Sequence, residues 1–78
     1  MLNVTIISPG RVIFEGQAGS VILPGETGVF EVLPFHRPLL SRLVAGEVVV
    51  DGSSLPIRRG IAKVEADAVT AIVEGARS

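Results

Sequence analysis

Apolar and polar positions alternate from the start of the chain. Leu2, Val4 and Ile6 are separated by Asn3 and Thr5, the period-two pattern of a strand buried on one face. Ser8-Pro9-Gly10 predicts a tight turn. Arg11 to Glu15 then returns as a second strand, with Val12 and Phe14 on one face, and Gly16 is expected to break it. Ser20 to Leu23 is a short apolar strand closed by Pro24-Gly25. Glu26-Thr27-Gly28 predicts a loop tip, and Val29 to Leu33 the next strand.

Pro34 ends that strand. Prolines fix φ at both ends of Pro34-Phe35-His36-Arg37-Pro38, which predicts a stiff connection with no regular helix. Leu39 to Val44 resumes as a strand, Ala45-Gly46 turns, and Val48 to Val50 forms another. Asp51-Gly52-Ser53-Ser54 is a hairpin signal. Leu55 to Arg59 returns, with Pro56 suited to an edge or a strand start. Gly60 is expected to separate it from a strand over Ile61 to Glu65. Ala66-Asp67-Ala68 turns, Val69 to Glu74 is the last strand, and Gly75 to Ser78 a short tail. Alanine content allows a helix over Ile61 to Glu74, but its Val, Ile and Thr favour a hairpin. The fold class is all-β: a flattened antiparallel β-sandwich or barrel of about ten short strands, forming one domain over residues 1–78.

Composition agrees. Val and Ile make up 19 of the 78 residues, and β-branched side chains favour pleated sheets. Nine Gly and five Pro punctuate the chain, against a helical bundle or a coiled coil. The net charge of −1 gives nucleic acid or an anionic membrane no electrostatic hold. There is no Cys for a disulfide, a thiolate nucleophile or a Cys-based zinc site, and no apolar run near the roughly 20 residues of a helical membrane span. The first residues carry no positive n-region, so no secretory signal is expected. A single core of this size rarely supplies more than about 3–5 kcal/mol, so a partner covering part of the surface is expected.

Candidate chemistry is sparse. His36 is the one histidine, and no nucleophile with an orienting carboxylate stands near it in sequence. It is expected to fix its loop by hydrogen bonds or to pack at an interface. The eight carboxylates are scattered singly, mostly at strand ends, as a solvated surface would have them. Neither a GxGxxG nor a Walker-type phosphate loop is present. Arg58 and Arg59 should point to opposite faces of a strand, leaving one solvated and the other free to pair with a carboxylate or meet a partner. Phe30 and Phe35 flank Pro34. With Phe30 on the core side, Phe35 either anchors a partner or packs on the domain's own surface.

Leu23 to Leu40, Leu-Pro-Gly-Glu-Thr-Gly-Val-Phe-Glu-Val-Leu-Pro-Phe-His-Arg-Pro-Leu-Leu, resembles the signature of the epsilon subunit of F-type ATP synthases. Pro24-Gly25 stands at the family's turn, and Pro34, His36, Pro38, Leu39 and Leu40 match its Pro-Gly-His-Ala-Pro-Leu-Leu run. Val4 to Pro9 is similar to its opening strand and turn, Phe14-Glu15-Gly16 to its Phe-x-Gly, Gly60 to Glu65 to a glycine-led apolar segment, and Val69 to Val73 to its closing strand. The resemblance covers nearly the whole chain. Phe35 and Arg37 stand where that family usually has Gly and Ala, and Arg58-Arg59 replaces its usual Ser-Gly. A positive φ would strain Phe35, so the loop is expected to bend differently. The family's C-terminal helical hairpin, tied to inhibition of hydrolysis and in some members to nucleotide binding, has no counterpart among these residues, and neither property is carried over.

The resemblance implies a non-catalytic rotor subunit with no cofactor and no metal. It would fasten the gamma subunit to the ring of c subunits in the central stalk. Membrane association would come only through the complex, on the cytoplasmic face of a bacterial inner membrane or its organelle equivalent. By family position, Ser8, His36, Arg37 and Ser41 face gamma, and Glu26, Gly28, Val29, Phe30 and Glu31 face the c ring. Pro24, Gly25, Pro34, Pro38, Leu39, Leu40 and Gly60 form the structural motif. The competing readings are a diverged adaptor sandwich, an oligonucleotide-binding barrel short of aromatics and basic charge, and a lipoyl-type carrier. The carrier would need its modified lysine at a hairpin tip, whereas Lys63 falls in a predicted strand.

Overall fold

A computed structural model describes Met1 to Gly75. Among the described residues there are eight strands and no helix: β1 (Leu2–Ser8), β2 (Arg11–Ala18), β3 (Val21–Gly25), β4 (Gly28–Val32), β5 (Leu39–Leu43), β6 (Gly46–Val50), β7 (Ser53–Glu65) and β8 (Ala68–Gly75). All eight belong to one sheet, in the order β2-β1-β8-β7-β5-β3-β4, with β6 bridging β3 and β7. Pairing is antiparallel except between β1 and β8, which run parallel. The expected all-β class and the hairpin over Ile61 to Glu74 are both present.

Glycine accounts for the lower strand number. Gly16 does not break its strand: β2 continues through it and pairs as far as Ala18. Gly60 does not separate two strands either. It lies inside β7, paired with Leu43 on one side and Val73 on the other. A Cβ there would meet the Ile72 carbonyl oxygen at 2.5 Å and Val73 Cα at 3.1 Å, so only glycine lets β8 approach so closely. Pro24-Gly25 closes its strand as expected, as the last two residues of β3, with Gly25 paired to Gly28 and the Phe30 ring lying over it. Gly75, expected in the tail, is the last residue of β8; the rest of that tail lies outside the described residues.

β7 sets the layering. Its first half pairs with β6, and its second half lies between β5 and β8. One long strand thus belongs to both layers and folds the sheet over itself. Pro56 sits where β7 is paired on one side only, the edge-like position expected for a residue without an N–H. The core between the layers includes Leu2, Val4, Ile6, Leu23, Val32, Val48, Ile57, Val64, Val69 and Val73, all buried. No polar residue is buried among those described, so apolar packing carries the interior.

Val12 and Phe14 do not share a face. The β1–β2 register shifts between Ile6 and Ile7, so that Ile6 pairs with Phe14 and Ile7 with Val12. The bulge leaves Ile13 as the extra residue and turns Val12 outward, while Ile13 and Phe14 both pack against the core.

Candidate functional site

The candidate site is a surface, and among the described residues no group of three or more His, Cys, Asp or Glu is placed to hold a metal ion. Its frame is β5. At one end lies the Pro34–Pro38 connection; at the other lies the β3–β4 tip.

The connection begins as a tight turn. His36 N–H donates to the Leu33 carbonyl at 3.1 Å, with Pro34 and Phe35 between them. Phe35 has φ 69°, the positive value that a type II turn demands at its third position. Phe35 therefore takes a positive φ, the strained conformation that the sequence leads one to expect the loop to avoid. Phe35 N–H donates to the Asp67 carboxylate at 3.0 Å, which fastens the loop to the β7–β8 turn. Asp67 also accepts Asn3 N–H on its own carbonyl at 2.7 Å. His36 Nδ1 lies 2.6 Å from the Arg37 carbonyl. A carbonyl can only accept, so Nδ1 carries the proton, and the ring holds the loop as one of its two expected roles required. The Phe35 ring stands almost wholly in solvent, 91% exposed.

The tip is tied down by backbone. Glu26 N–H donates to the Arg42 carbonyl at 3.0 Å, and Val44 N–H to the Pro24 carbonyl at 2.9 Å. Glu26, Gly28, Val29 and Glu31 are exposed, whereas Phe30 is half-buried and packs against the core. A shallow cleft is lined by Glu26, Thr27, Leu40, Ser41, Arg42 and Ile61. The structure thus brings together Glu26 and Ser41, assigned from sequence to different partners.

Ser8 lies across the sheet from them. Cross-strand pairs run Val12 to Ile7, Ile7 to Ile72, Ile72 to Ile61, and Ile61 to Arg42. These residues form one rank over five strands, roughly 19 Å at about 4.8 Å per strand. The rank faces away from the core: Val12, Ile61 and Ile72 are exposed and Ile7 is half-buried. Arg42 ends the rank at β5, and Ser8 and Ser41, the chain neighbours of Ile7 and Arg42, alternate to the other face. His36 and Arg37 lie beyond the far end of β5. Ser41 pairs with buried Ala62, so it follows the inward alternation at the sheet edge.

The sequence reading missed this apolar rank. Its signal was two neighbouring apolar residues in one strand, as in Ile6-Ile7 and Ile72-Val73, where alternation can bury only one of each pair. Both arginines are exposed, and one of them pairs with a carboxylate. Arg59 Nε bonds Glu74 Oε1 at 2.8 Å. Arg58 falls at the register shift of β7 and, with Ser8, Arg11 and Leu55, lines an open cleft.

A sequence family described as ATP synthase, Delta/Epsilon chain, beta-sandwich domain matches residues 1–78. The chain is 40% identical over 81 residues to the ATP synthase epsilon chain of Sulfurovum sp. (strain NBC37-1), covering 97% of this chain and 63% of the relative. It is 39% identical over 79 residues to the chloroplastic epsilon chain of Porphyra purpurea, covering 96% of this chain and 59% of the relative. The chain therefore spans about three-fifths of the length of these relatives. The same fold occurs in a chain of the Tetrahymena thermophila mitochondrial ATP synthase central stalk/c-ring structure, at TM-score 0.77 and 14% identity over 94% of this chain and 63% of that one. A chain of the Euglena gracilis mitochondrial ATP synthase OSCP/F1/c-ring structure shares it at TM-score 0.83 and 19% identity, over 92% of this chain and 49% of that one. Likeness in sequence along the whole chain, and not the fold alone, therefore establishes that this protein belongs to the ATP synthase delta/epsilon chain β-sandwich family.

Proposed function

We propose that the chain is a non-catalytic epsilon-type subunit of an ATP synthase central stalk, joining the gamma subunit to the c ring. Gamma would lie on the apolar rank and reach round its ends to Ser8 in β1, to Ser41 in β5, and to His36 and Arg37 beyond β5. The c ring would meet the tip at Glu26, Gly28, Val29, Phe30 and Glu31. The observation that carries this reading is the seam between the two surfaces. The tip hangs on β5 by the Glu26–Arg42 and Val44–Pro24 backbone bonds, and β5 is the strand that borders the apolar rank. A torque applied at the tip would pass into the sheet through hydrogen-bonded backbone, and a close-packed core resists compression.

The relatives' names and the stalk and c-ring structures that share the fold support the same reading. It places the chain on the cytoplasmic face of a bacterial inner membrane, or the organelle equivalent, held there through its complex. The test is co-purification from its own cell: tag the full chain, solubilise membranes mildly and identify what accompanies it. Gamma and c subunits in an ATP-hydrolysing complex are the expected result. Recovery of the chain alone, or with unrelated soluble proteins, overturns the reading in favour of a diverged adaptor.

A further inference from the structure

We infer that Phe35 is a pre-organised aromatic anchor that inserts into an apolar pocket of the gamma subunit; this rests on the function proposed above. A non-glycine residue at φ 69° is costly, and such conformations persist only where the surroundings enforce them. The surroundings here do so from several sides. Pro34 and Pro38 restrict the loop, Asp67 holds the Phe35 N–H, and the His36 ring closes on the Arg37 carbonyl. Yet the ring so positioned is 91% exposed and lies outside the buried core and the apolar residues packed on it. Strain is maintained, and an aromatic ring is left in water.

A partner would resolve both facts. The loop is already ordered, so binding through it forfeits little conformational entropy. Phe35 adjoins His36 and Arg37, and Leu33 and Leu40 on either side are also exposed, at 49% and 70%. Leu40 lies on the outward face of β5, two residues from Arg42, and the Phe35 N–H is tied to the β7–β8 turn at that end of the sheet. The tip assigned to the c ring lies at the opposite end of β5. These positions assign the anchor to gamma.

The experiment measures affinity of the full chain for gamma bound to its catalytic head, purified from the same cell without this chain. Wild type is compared with Phe35→Gly and Phe35→Asn, since both replacements tolerate positive φ and preserve the turn. The anchor predicts a loss of about tenfold or more in affinity for both, with Tm equal to or above wild type. Affinities within twofold of wild type overturn the anchor and leave the proposed function standing. A lowered Tm in both variants also overturns it, because the ring would then be structural. Self-association of wild type that Phe35→Asn abolishes overturns it in favour of a second copy as occupant. Failure of wild type itself to bind gamma is a different result and overturns the proposed function.

Discussion

Asp51 accepts backbone hydrogen bonds from Gly19 at 3.0 and 3.2 Å and from Ser20 at 3.1 Å, tying the β6–β7 turn to the link between β2 and β3. The same residue has φ 47° and precedes Gly52 at φ 87°, the paired positive values of a type I′ hairpin. Its short carboxylate side chain thus serves the turn and the connection together. Asp51→Ala removes the acceptor and places a residue ill-suited to positive φ in the turn. The expected loss is about 1–3 kcal/mol. Asp51→Asn tolerates the turn and keeps one oxygen, so its loss should be smaller. Urea unfolding of both variants checks the order; equal stability of Asp51→Ala and wild type would refute it.

Gly60 is a second position where backbone geometry governs. Gly60→Ala puts a methyl group within 2.5 Å of the Ile72 carbonyl oxygen, and a backbone atom cannot rotate away as a side chain can. β7 and β8 must separate, at a cost of about 1–3 kcal/mol. For a domain of this size that is a Tm drop of at least about 4 °C. An unchanged Tm would mean the two strands part freely, and β7 would not be the rigid link between the layers.

Strand alternation made the fold class readable before the structure. Leu2, Val4 and Ile6, and Val69, Ala71 and Val73, are buried as period two requires. Glycine was the point of failure. It signals either a turn or a close approach of two backbones, and only the neighbouring strand separates these meanings. In the sequence Gly16 and Gly60 predict breaks, and both lie in strand interior. The Val12 error has the same character, since a bulge depends on pairing with β1 and leaves no fixed mark in the sequence of β2. The loop from Pro34 to Pro38 was recognisable through its prolines. The Asp67 bond that holds Phe35 spans 32 residues and was not.

The Arg59–Glu74 bond should contribute little to stability. Its side chains are 73% and 49% exposed, and ion pairs in water are typically worth under about 1 kcal/mol. Arg59→Ala is therefore expected to leave Tm within a few degrees, with less difference at high salt. A loss well above about 1 kcal/mol in a double-mutant cycle with Glu74→Ala would show a much stronger coupling than this exposure allows.

The two proposed surfaces should separate under mutation. Ile72→Lys places a charge between Ile7 and Ile61 on the outward rank, where the side chain is already half in water. Folding should be nearly unaffected, as exposed substitutions usually change stability by about 0.5 kcal/mol or less, while gamma binding should fall about tenfold. His36→Ala loses the ring's bond to Arg37 and should weaken assembly with gamma without unfolding the chain. Glu31→Lys changes an exposed charge at the tip. It should leave gamma binding intact and reduce retention of the c ring, most visibly at low salt. Binding of each folded variant to gamma, and recovery of c subunits with it, give two separate readings. If Ile72→Lys and Glu31→Lys lose the same partner, the apolar rank and the tip are one interface, and β5 is not the seam between two.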